Sequence, residues 1–109
     1  MLFLALLIYQ ETFHLLIYNI LYFQLYKLEI WRGGVRQNVV PIYLNEISVG
    51  RGSKSKSVDI PLAGDPEISR RHLTLSTDGN GNYWIVNDGR NPAAINNYDL
   101  PIGQRVNVT

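Results

Sequence analysis

The sequence predicts an all-β domain, a sandwich or a barrel of short strands, preceded by an apolar N-terminal segment. Two observations predict this fold class. After residue 26, apolar and polar residues alternate in short runs, as they do in half-buried strands. Glycine, asparagine, aspartate and proline interrupt these runs at short intervals, and no helical periodicity lies between them. Closely spaced short strands are typical of sandwiches and barrels.

Residues 1–26 differ from the rest of the chain because long apolar runs dominate them. We expect this segment to be helical, and three interpretations stay open: a membrane anchor, a helix packed on the domain or on a partner, and an artefact of an early start codon. The segment is long enough to cross a bilayer, although Glu11 near its centre costs about 3 kcal/mol on insertion scales. As an anchor it would contact the membrane, and the basic residues Lys27, Arg32 and Arg36 would keep the following domain in the cytoplasm.

Residues 27–109 are predicted to form the domain, and their alternation defines its strands. Residues 50–57 are polar and basic and are expected to form a loop. The Asp-Gly-Asn-Gly run at 78–81 is a strong hairpin signal. Pro61, near the end of a short apolar run, predicts an edge strand. The predicted strands cover residues 27–32, 38–44, 47–49, 58–62, 72–77, 83–86, 93–96 and 105–108.

Length, charge and residue usage exclude several classes of protein. The 109 residues suffice for one small domain. The formal net charge is +1, so binding to nucleic acid is not predicted. The chain has no cysteine, which excludes a disulfide framework and thiol catalysis and fits a reducing compartment. It has two histidines, too few for a multi-histidine metal site, and we predict no metal and no cofactor.

A few polar residues in predicted loops mark a candidate site. Arg51 follows one predicted strand, and Ser69 and His72 lie at the start of another. A guanidinium group offers forked donors to an oxyanion, and a hydroxyl group adds one more. No nucleophile with a matching base, and no metal cluster, accompanies them. These residues therefore indicate a site that holds a phosphate without reacting with it.

The order of the motifs resembles that of the forkhead-associated (FHA) domain, a module that binds phosphothreonine peptides. The resemblance implies an FHA/SMAD-like β-sandwich of two mostly antiparallel sheets and not a barrel. The family pattern runs Gly-Arg, Asp-hydrophobic, Ser-x-x-His, Val-x-Asp, Asn-Gly and Val-Asn-Gly. Residues 28–109 carry the pattern in this order and with most of its spacings. The matching segments are Gly50-Arg51, Asp59-Ile60, Ser69-Arg70-Arg71-His72, residues 84–88, Asn91-Pro92 and residues 95–97.

The resemblance implies a set of residues that bind the phosphopeptide. Arg51 and Ser69 would contact the phosphate, and Asn91 would bond the peptide main chain. Arg70 occupies a position that contacts the phosphate or the peptide backbone. Because neighbouring residues of a strand face opposite sides, we expect Arg71 to point into solvent.

Other matched positions would shape or support the site. Lys54 and Lys56 lie in the loop that forms the rim of the binding surface in the family. There they would either attract a phosphate group, whose charge is about −1.5 to −2 at neutral pH, or remain solvated. Gly50, His72 and Asn96 are expected to be structural. The histidine would brace the loop that carries the serine, and the asparagine would stabilise a turn.

The chain departs from the family pattern in two respects. Pro92 and Asn97 stand where the family has glycine; Pro92 has no amide donor, whereas Asn97 can still adopt a left-handed turn. The sequence also stops at Thr109, where the family continues with two closing strands. We therefore expect a C-terminally incomplete domain with an open sheet edge and an uncovered part of the core.

The sequence supports two functions. The first is a non-catalytic signalling adaptor in the cytoplasm that binds phosphothreonine-containing substrates of Ser/Thr kinases. The second is a phosphate-independent protein–protein assembly module on the same FHA-like sandwich. An enzymatic function is not predicted. Loss of binding when the partner is dephosphorylated would distinguish the first function from the second.

Overall fold

Strands make up the regular structure of the computed structural model, which describes residues 4–17, 19–55, 57–62 and 64–108. These ranges contain no helix, and so none with the length and hydropathy needed to span a bilayer. The strands are β1 (Leu4–Ile17), β2 (Asn19–Arg32), β3 (Val35–Pro41), β4 (Glu46–Gly50), β5 (Ile60–Pro61), β6 (Leu73–Thr77), β7 (Tyr83–Asn87), β8 (Ala93–Ile95), β9 (Tyr98–Leu100) and β10 (Arg105–Asn107).

The strands form two five-stranded sheets, in the orders β3-β2-β1-β8-β9 and β10-β7-β6-β4-β5. Neighbouring strands are antiparallel except for β1 with β8 and β4 with β5, which are parallel. The prediction of an all-β sandwich of mostly antiparallel strands is confirmed, and each sheet is mixed. Because β5 lies at the end of its sheet, the edge position predicted from Pro61 is confirmed as well.

Side chains from both sheets belong to a single hydrophobic core. Leu28 and Ile30 of β2 are fully buried, as are Leu73, Leu75 and Ile85 of β6 and β7. In β6 and β7 these residues alternate with more exposed ones, which is the period of two seen in the sequence. Burying one such side chain contributes about 1.5–3 kcal/mol, so the core holds the two sheets face to face.

The prediction of a helix within residues 1–26 is wrong for the part that the structure describes. β1 pairs with β2 in antiparallel register, from Leu4 opposite Arg32 to Ile17 opposite Asn19. A continuous apolar run has no clear period, so it does not distinguish a strand from a buried helix. In the strand, Leu4, Leu6 and Ile8 are buried while the residues between them are partly exposed, so pairing with neighbouring strands places one side of β1 in the core.

β1 is the central strand of its sheet. It is placed between β2 and β8, and its first three residues pair with β8 in parallel. Leu4, Leu6 and Ile8 are buried in the common core. The N-terminal strand therefore covers the core beside β8, while the division of the chain at residue 26 stays a prediction.

β9 is a strand that the sequence pattern did not predict. Asn96 and Asn97 have φ values of 49° and 68°, and they form the two-residue turn between β8 and β9. The left-handed conformation expected at Asn97 is confirmed. Asn96 N donates to Leu6 O at 2.9 Å, and Asn96 Oδ1 accepts from Ile8 N at 2.9 Å. The turn is therefore tied to β1.

The ends of three neighbouring strands bring the motif residues together. β4 ends at Gly50, directly before Arg51, and β6 begins directly after His72. Residues 88–92 connect β7 to β8. Because β4, β6 and β7 are adjacent in one sheet and alternate in direction, these three segments lie side by side at one edge of the sandwich.

We expect Leu6→Ala to lower the free energy of unfolding by about 2–5 kcal/mol, because this side chain is 1% exposed in the core. Leu7→Ala, at the neighbouring, partly exposed position of the same strand, should cost clearly less. Urea denaturation followed by circular dichroism measures both variants. Small and equal losses would show that β1 does not belong to the folded core.

Candidate functional site

The segment before β6 is fastened to the end of β4 by main-chain hydrogen bonds. Arg51 N donates to Ser69 O at 2.9 Å, and His72 N donates to Val49 O at 2.9 Å. These bonds continue the pairing of β4 with β6 beyond the ends of the regular strands. Arg51 and Ser69, which are far apart in sequence, are therefore held next to each other by the backbone.

His72 joins this segment to the loop between β7 and β8. Its imidazole is 1% exposed, and Nδ1 accepts the N–H of Ser69 at 3.1 Å. Nε2 must then carry the proton, and it lies 2.8 Å from Asn91 O, to which it donates. Both ring nitrogens are engaged inside the protein. This geometry favours the bracing role that the resemblance implies for His72 and leaves neither nitrogen facing a ligand.

Asn87 reinforces the same loop, although the sequence pattern did not mark it for a role. The residue is fully buried at the end of β7. Its Nδ2 donates to Asn91 O at 3.0 Å, and its Oδ1 accepts from Gly89 N at 2.9 Å. A signal was present in the sequence, because Asn87 continues the inward-facing positions of Tyr83 and Ile85 with a polar residue.

Two glycines make room for this arrangement. A Cβ atom on Gly50 would clash with the backbone of Arg70 and lie 2.9 Å from His72 N. A Cβ atom on Gly89 would lie 2.6 Å from Cγ of the His72 ring. Gly50 is expected to support the site. Its missing side chain allows the end of β4 to approach the backbone of residues 70–72 closely.

Two carboxylates hold the loops on either side of the site. Asp59 Oδ2 accepts from Ser48 N at 2.8 Å and from Ser48 Oγ at 3.1 Å, which fixes the loop after Arg51 to β4. Asp65 is buried and forms an ion pair with the Arg32 guanidinium at 3.5 Å. Its carboxylate also accepts a hydrogen bond from Glu67 N at 2.9 Å. The segment that leads to the serine is therefore anchored to β2.

A cavity of about 260 Å³ lies between these loops and is lined by Arg51, Ser69, Arg70 and Arg90. Three of the sequence-predicted residues therefore meet, and Arg90 joins them without having been predicted. Arg51 Nε donates to Ile68 O at 3.1 Å, which orients the guanidinium. In the described part of the chain, no carboxylate lies within ion-pair distance of these three arginines.

The serine hydroxyl is poised to donate. Ser69 Oγ accepts the backbone N–H of Arg90 at 3.1 Å. The hydroxyl proton is then directed elsewhere, and the remaining neighbours around the cavity are cationic donors. An anion with several acceptor oxygens fits this set, because every group around it can donate.

Arg71 does not take part in the cavity. Its guanidinium pairs with Glu46 at 2.9 Å, and both side chains are more than half exposed. The prediction that Arg71 faces away from the site is confirmed. It offers a matched control for experiments on Arg51 and Arg90, because it carries the same charge and lies outside the cavity.

Asn91 has partners within the protein. Its Nδ2 donates to Glu67 O at 2.7 Å and to Glu67 Oε2 at 2.9 Å. An amide nitrogen has two hydrogens, so both are directed at Glu67. The peptide contact expected of Asn91 stays a prediction, and in this geometry it would use Oδ1 as an acceptor.

The remaining predicted residues lie outside the cavity or outside the described residues. Lys54 is exposed in the loop after Arg51 and does not line the cavity. Lys56 lies outside the residues that the structure describes, so its rim position stays a prediction. Asn96 lies at the opposite end of β8 from the site, where it supports a turn and not the cavity.

We expect Gly50→Ala to lower the free energy of unfolding by about 2 kcal/mol or more, because the added methyl group meets backbone atoms that cannot rotate away. Gly79→Ala is the control: it has a φ of 81° and open space around it, so only backbone strain of about 1 kcal/mol is expected. Thermal denaturation of both variants checks the difference. A smaller loss for Gly50→Ala than for Gly79→Ala would contradict the close approach.

Comparison with known proteins supplies an independent assignment. The family model described as "FHA domain" matches residues 47–108, which is more than half of the chain and includes all the residues that line the cavity. No curated protein and no solved structure gave a significant match. The match follows the segments that build the site, from β4 to β10. The chain therefore belongs to the FHA domain family.

Proposed function

We propose that this chain is a phosphothreonine-dependent adaptor domain that binds phosphorylated proteins without catalysing a reaction. Family membership supports a phosphopeptide-binding interaction module. One observation carries the finer proposal: the cavity of Arg51, Ser69, Arg70 and Arg90 consists of donors that no described carboxylate neutralises. In this proposal the partners are substrates of Ser/Thr kinases in the cytoplasm, and a membrane contact through residues 1–26 remains a hypothesis.

The geometry suits a tetrahedral dianion. Arg51 uses Nε for Ile68 O, so its two terminal nitrogens are left to form a forked pair with phosphate oxygens. Ser69 adds its hydroxyl proton from the opposite segment, and Arg70 adds a second cation. Each phosphate oxygen can therefore accept a charge-assisted hydrogen bond.

The binding free energy expected from these hydrogen bonds favours reversible binding. A hydrogen bond to a charged group contributes about 1.5–3 kcal/mol. Two or three such bonds, together with peptide backbone contacts, reach about −8 kcal/mol, which corresponds to micromolar affinity. An unphosphorylated threonine would lose these bonds, and its binding would leave the arginines without an anion.

The proposed lack of catalysis also has a structural basis. Neither nitrogen of His72 is available as an acid or base, because one accepts from Ser69 N and the other donates to Asn91 O. The Ser69 hydroxyl contacts a backbone N–H and not a base that could activate it. These contacts support binding and not turnover.

We expect Arg51→Ala to weaken capture from a phosphothreonine peptide library by about tenfold or more, because it removes charge-assisted bonds to the phosphate. Arg71→Ala should bind as the unmodified chain does, since Arg71 pairs with Glu46 outside the cavity. Pulldown with phosphothreonine, phosphoserine and unmodified libraries measures both variants. A thermal melt of each variant verifies folding.

Three outcomes would contradict all or part of this proposal. Equal capture of the phosphorylated and unmodified libraries would favour the phosphate-independent assembly module. Equal losses in Arg51→Ala and Arg71→Ala would show that only the overall charge attracts the peptides. Stronger capture of phosphoserine than of phosphothreonine would reject the specificity while leaving the phosphate site intact.

We also expect Glu67→Ala to raise phosphopeptide affinity about twofold to fivefold. The substitution frees one N–H of Asn91 and removes a negative charge near the cavity. Glu46→Ala removes an exposed carboxylate elsewhere and should leave the affinity unchanged. Fluorescence anisotropy with one captured phosphopeptide measures both. A lower affinity in Glu67→Ala would mean that this contact positions Asn91 for binding.

A further inference from the structure

Arg90 is fixed at the cavity by its own backbone. Its N–H donates to Ser69 Oγ at 3.1 Å, and its guanidinium-bearing side chain lines the same cavity as Arg51 and Arg70. The next residue, Asn91, is held by three partners. Its backbone carbonyl accepts hydrogen bonds from His72 and Asn87, and its side-chain amide donates one to Glu67 O. The main chain at Arg90 is therefore rigidly placed, while its long side chain is exposed.

The charges around the cavity exceed those of a single phosphate group. Three guanidinium groups carry three positive charges, and a phosphothreonine carries about −1.5 to −2 at neutral pH. Two carboxylates lie close to these arginines in the sequence, Asp88 near Arg90 and Glu67 near Arg70. Neither forms an ion pair with the three arginines among the described contacts, and Glu67 accepts a hydrogen bond from Asn91. About one positive charge is therefore left when the phosphate is bound.

We infer that Arg90 is a specificity-determining residue that recognises a second negative charge on the same peptide. This inference rests on the proposed phosphothreonine function. The second charge is an aspartate or glutamate side chain or a second phosphate group, and both share the acceptor oxygens that a guanidinium binds. It lies within about three residues of the phosphothreonine, because the cavity is small and an extended peptide advances about 3.3 Å per residue.

A different role for Arg90 would have a different signature. If Arg90 only gripped the same phosphate as Arg51, its removal would weaken every phosphothreonine peptide by one common factor. If it recognises a second charge, its removal weakens only the peptides that carry one. The two roles are therefore separated by the coupling between the protein substitution and the peptide substitution, which a double-mutant cycle measures.

The experiment uses fluorescence anisotropy with four sets of phosphothreonine peptides and with unmodified neutral peptides. One set has neutral flanking residues, one has a single Asp or Glu at successive flanking positions, and the other two have a single Lys or a second phosphothreonine at the same positions. Every peptide is measured with the full chain and with Arg90→Ala, Arg90→Glu, Arg71→Ala and Arg51→Ala. Substitution at Arg90 keeps the backbone N–H that bonds Ser69 Oγ, so the phosphate site itself is retained.

We expect the second charge to raise affinity about threefold to tenfold in the full chain and in Arg71→Ala, and to have no effect in Arg90→Ala. Comparison of the acidic and doubly phosphorylated sets identifies the source of the charge. Arg90→Glu provides a further check, because it should reverse the preference toward peptides with a flanking lysine.

Two results would overturn the inference alone. Binding that depends on Arg51 but gains nothing from a second charge would do so, as would an equal loss for all peptide sets in Arg90→Ala. Failure of the proposed function has a separate signature, because then the full chain would bind phosphorylated and unmodified neutral peptides equally.

Discussion

The loops of the site depend on the buried imidazole of His72. The imidazole accepts a hydrogen bond from Ser69 N at Nδ1 and donates one from Nε2 to Asn91 O. It therefore sets the distance between the segment before β6 and the loop after β7. A buried ring nitrogen without a partner would cost about 1–3 kcal/mol, which favours this one arrangement of the two loops. Gly50 and Gly89 leave the space that the arrangement needs. The positions of the residues around the cavity are therefore set from the interior.

The N-terminal strand β1 connects the hydrophobic core to the loops that His72 joins. β1 lies between β2 and β8, and β8 begins at Ala93, two residues after Asn91. Burial of Leu4 and Leu6 in β1 thus holds β8 in the sheet, and β8 in turn holds the end of the loop that His72 contacts. The pair formed by Arg32 and the buried Asp65 makes a second connection, from β2 to the segment before Ser69. A change far from the cavity can therefore alter its shape.

Local patterns in the sequence predicted much of the fold and part of the site. Alternation located most strands after residue 26, and motif spacing identified Arg51, Ser69 and Arg70, which line one cavity. The apolar run of β1 has no period that distinguishes a strand from a helix, so its conformation depends on pairing partners that the sequence does not specify. Arg90 was missed because it sits in an ordinary polar loop. Its place is shown by the bond from its N–H to the serine hydroxyl and by its side chain at the cavity.

A rigid frame that carries long cationic side chains has a consequence for selectivity. Ser69 is held by the backbone, so its hydroxyl binds with little loss of freedom. Ordering a surface arginine costs up to about 2 kcal/mol in rotamer entropy, and only an anion compensates for that loss. Arg51 is partly ordered already by its bond to Ile68 O, whereas the exposed Arg90 side chain has no such bond among the described contacts. In the proposed function, this difference suits Arg51 to the phosphate itself, whereas Arg90 would contribute only where the ligand brings additional negative charge.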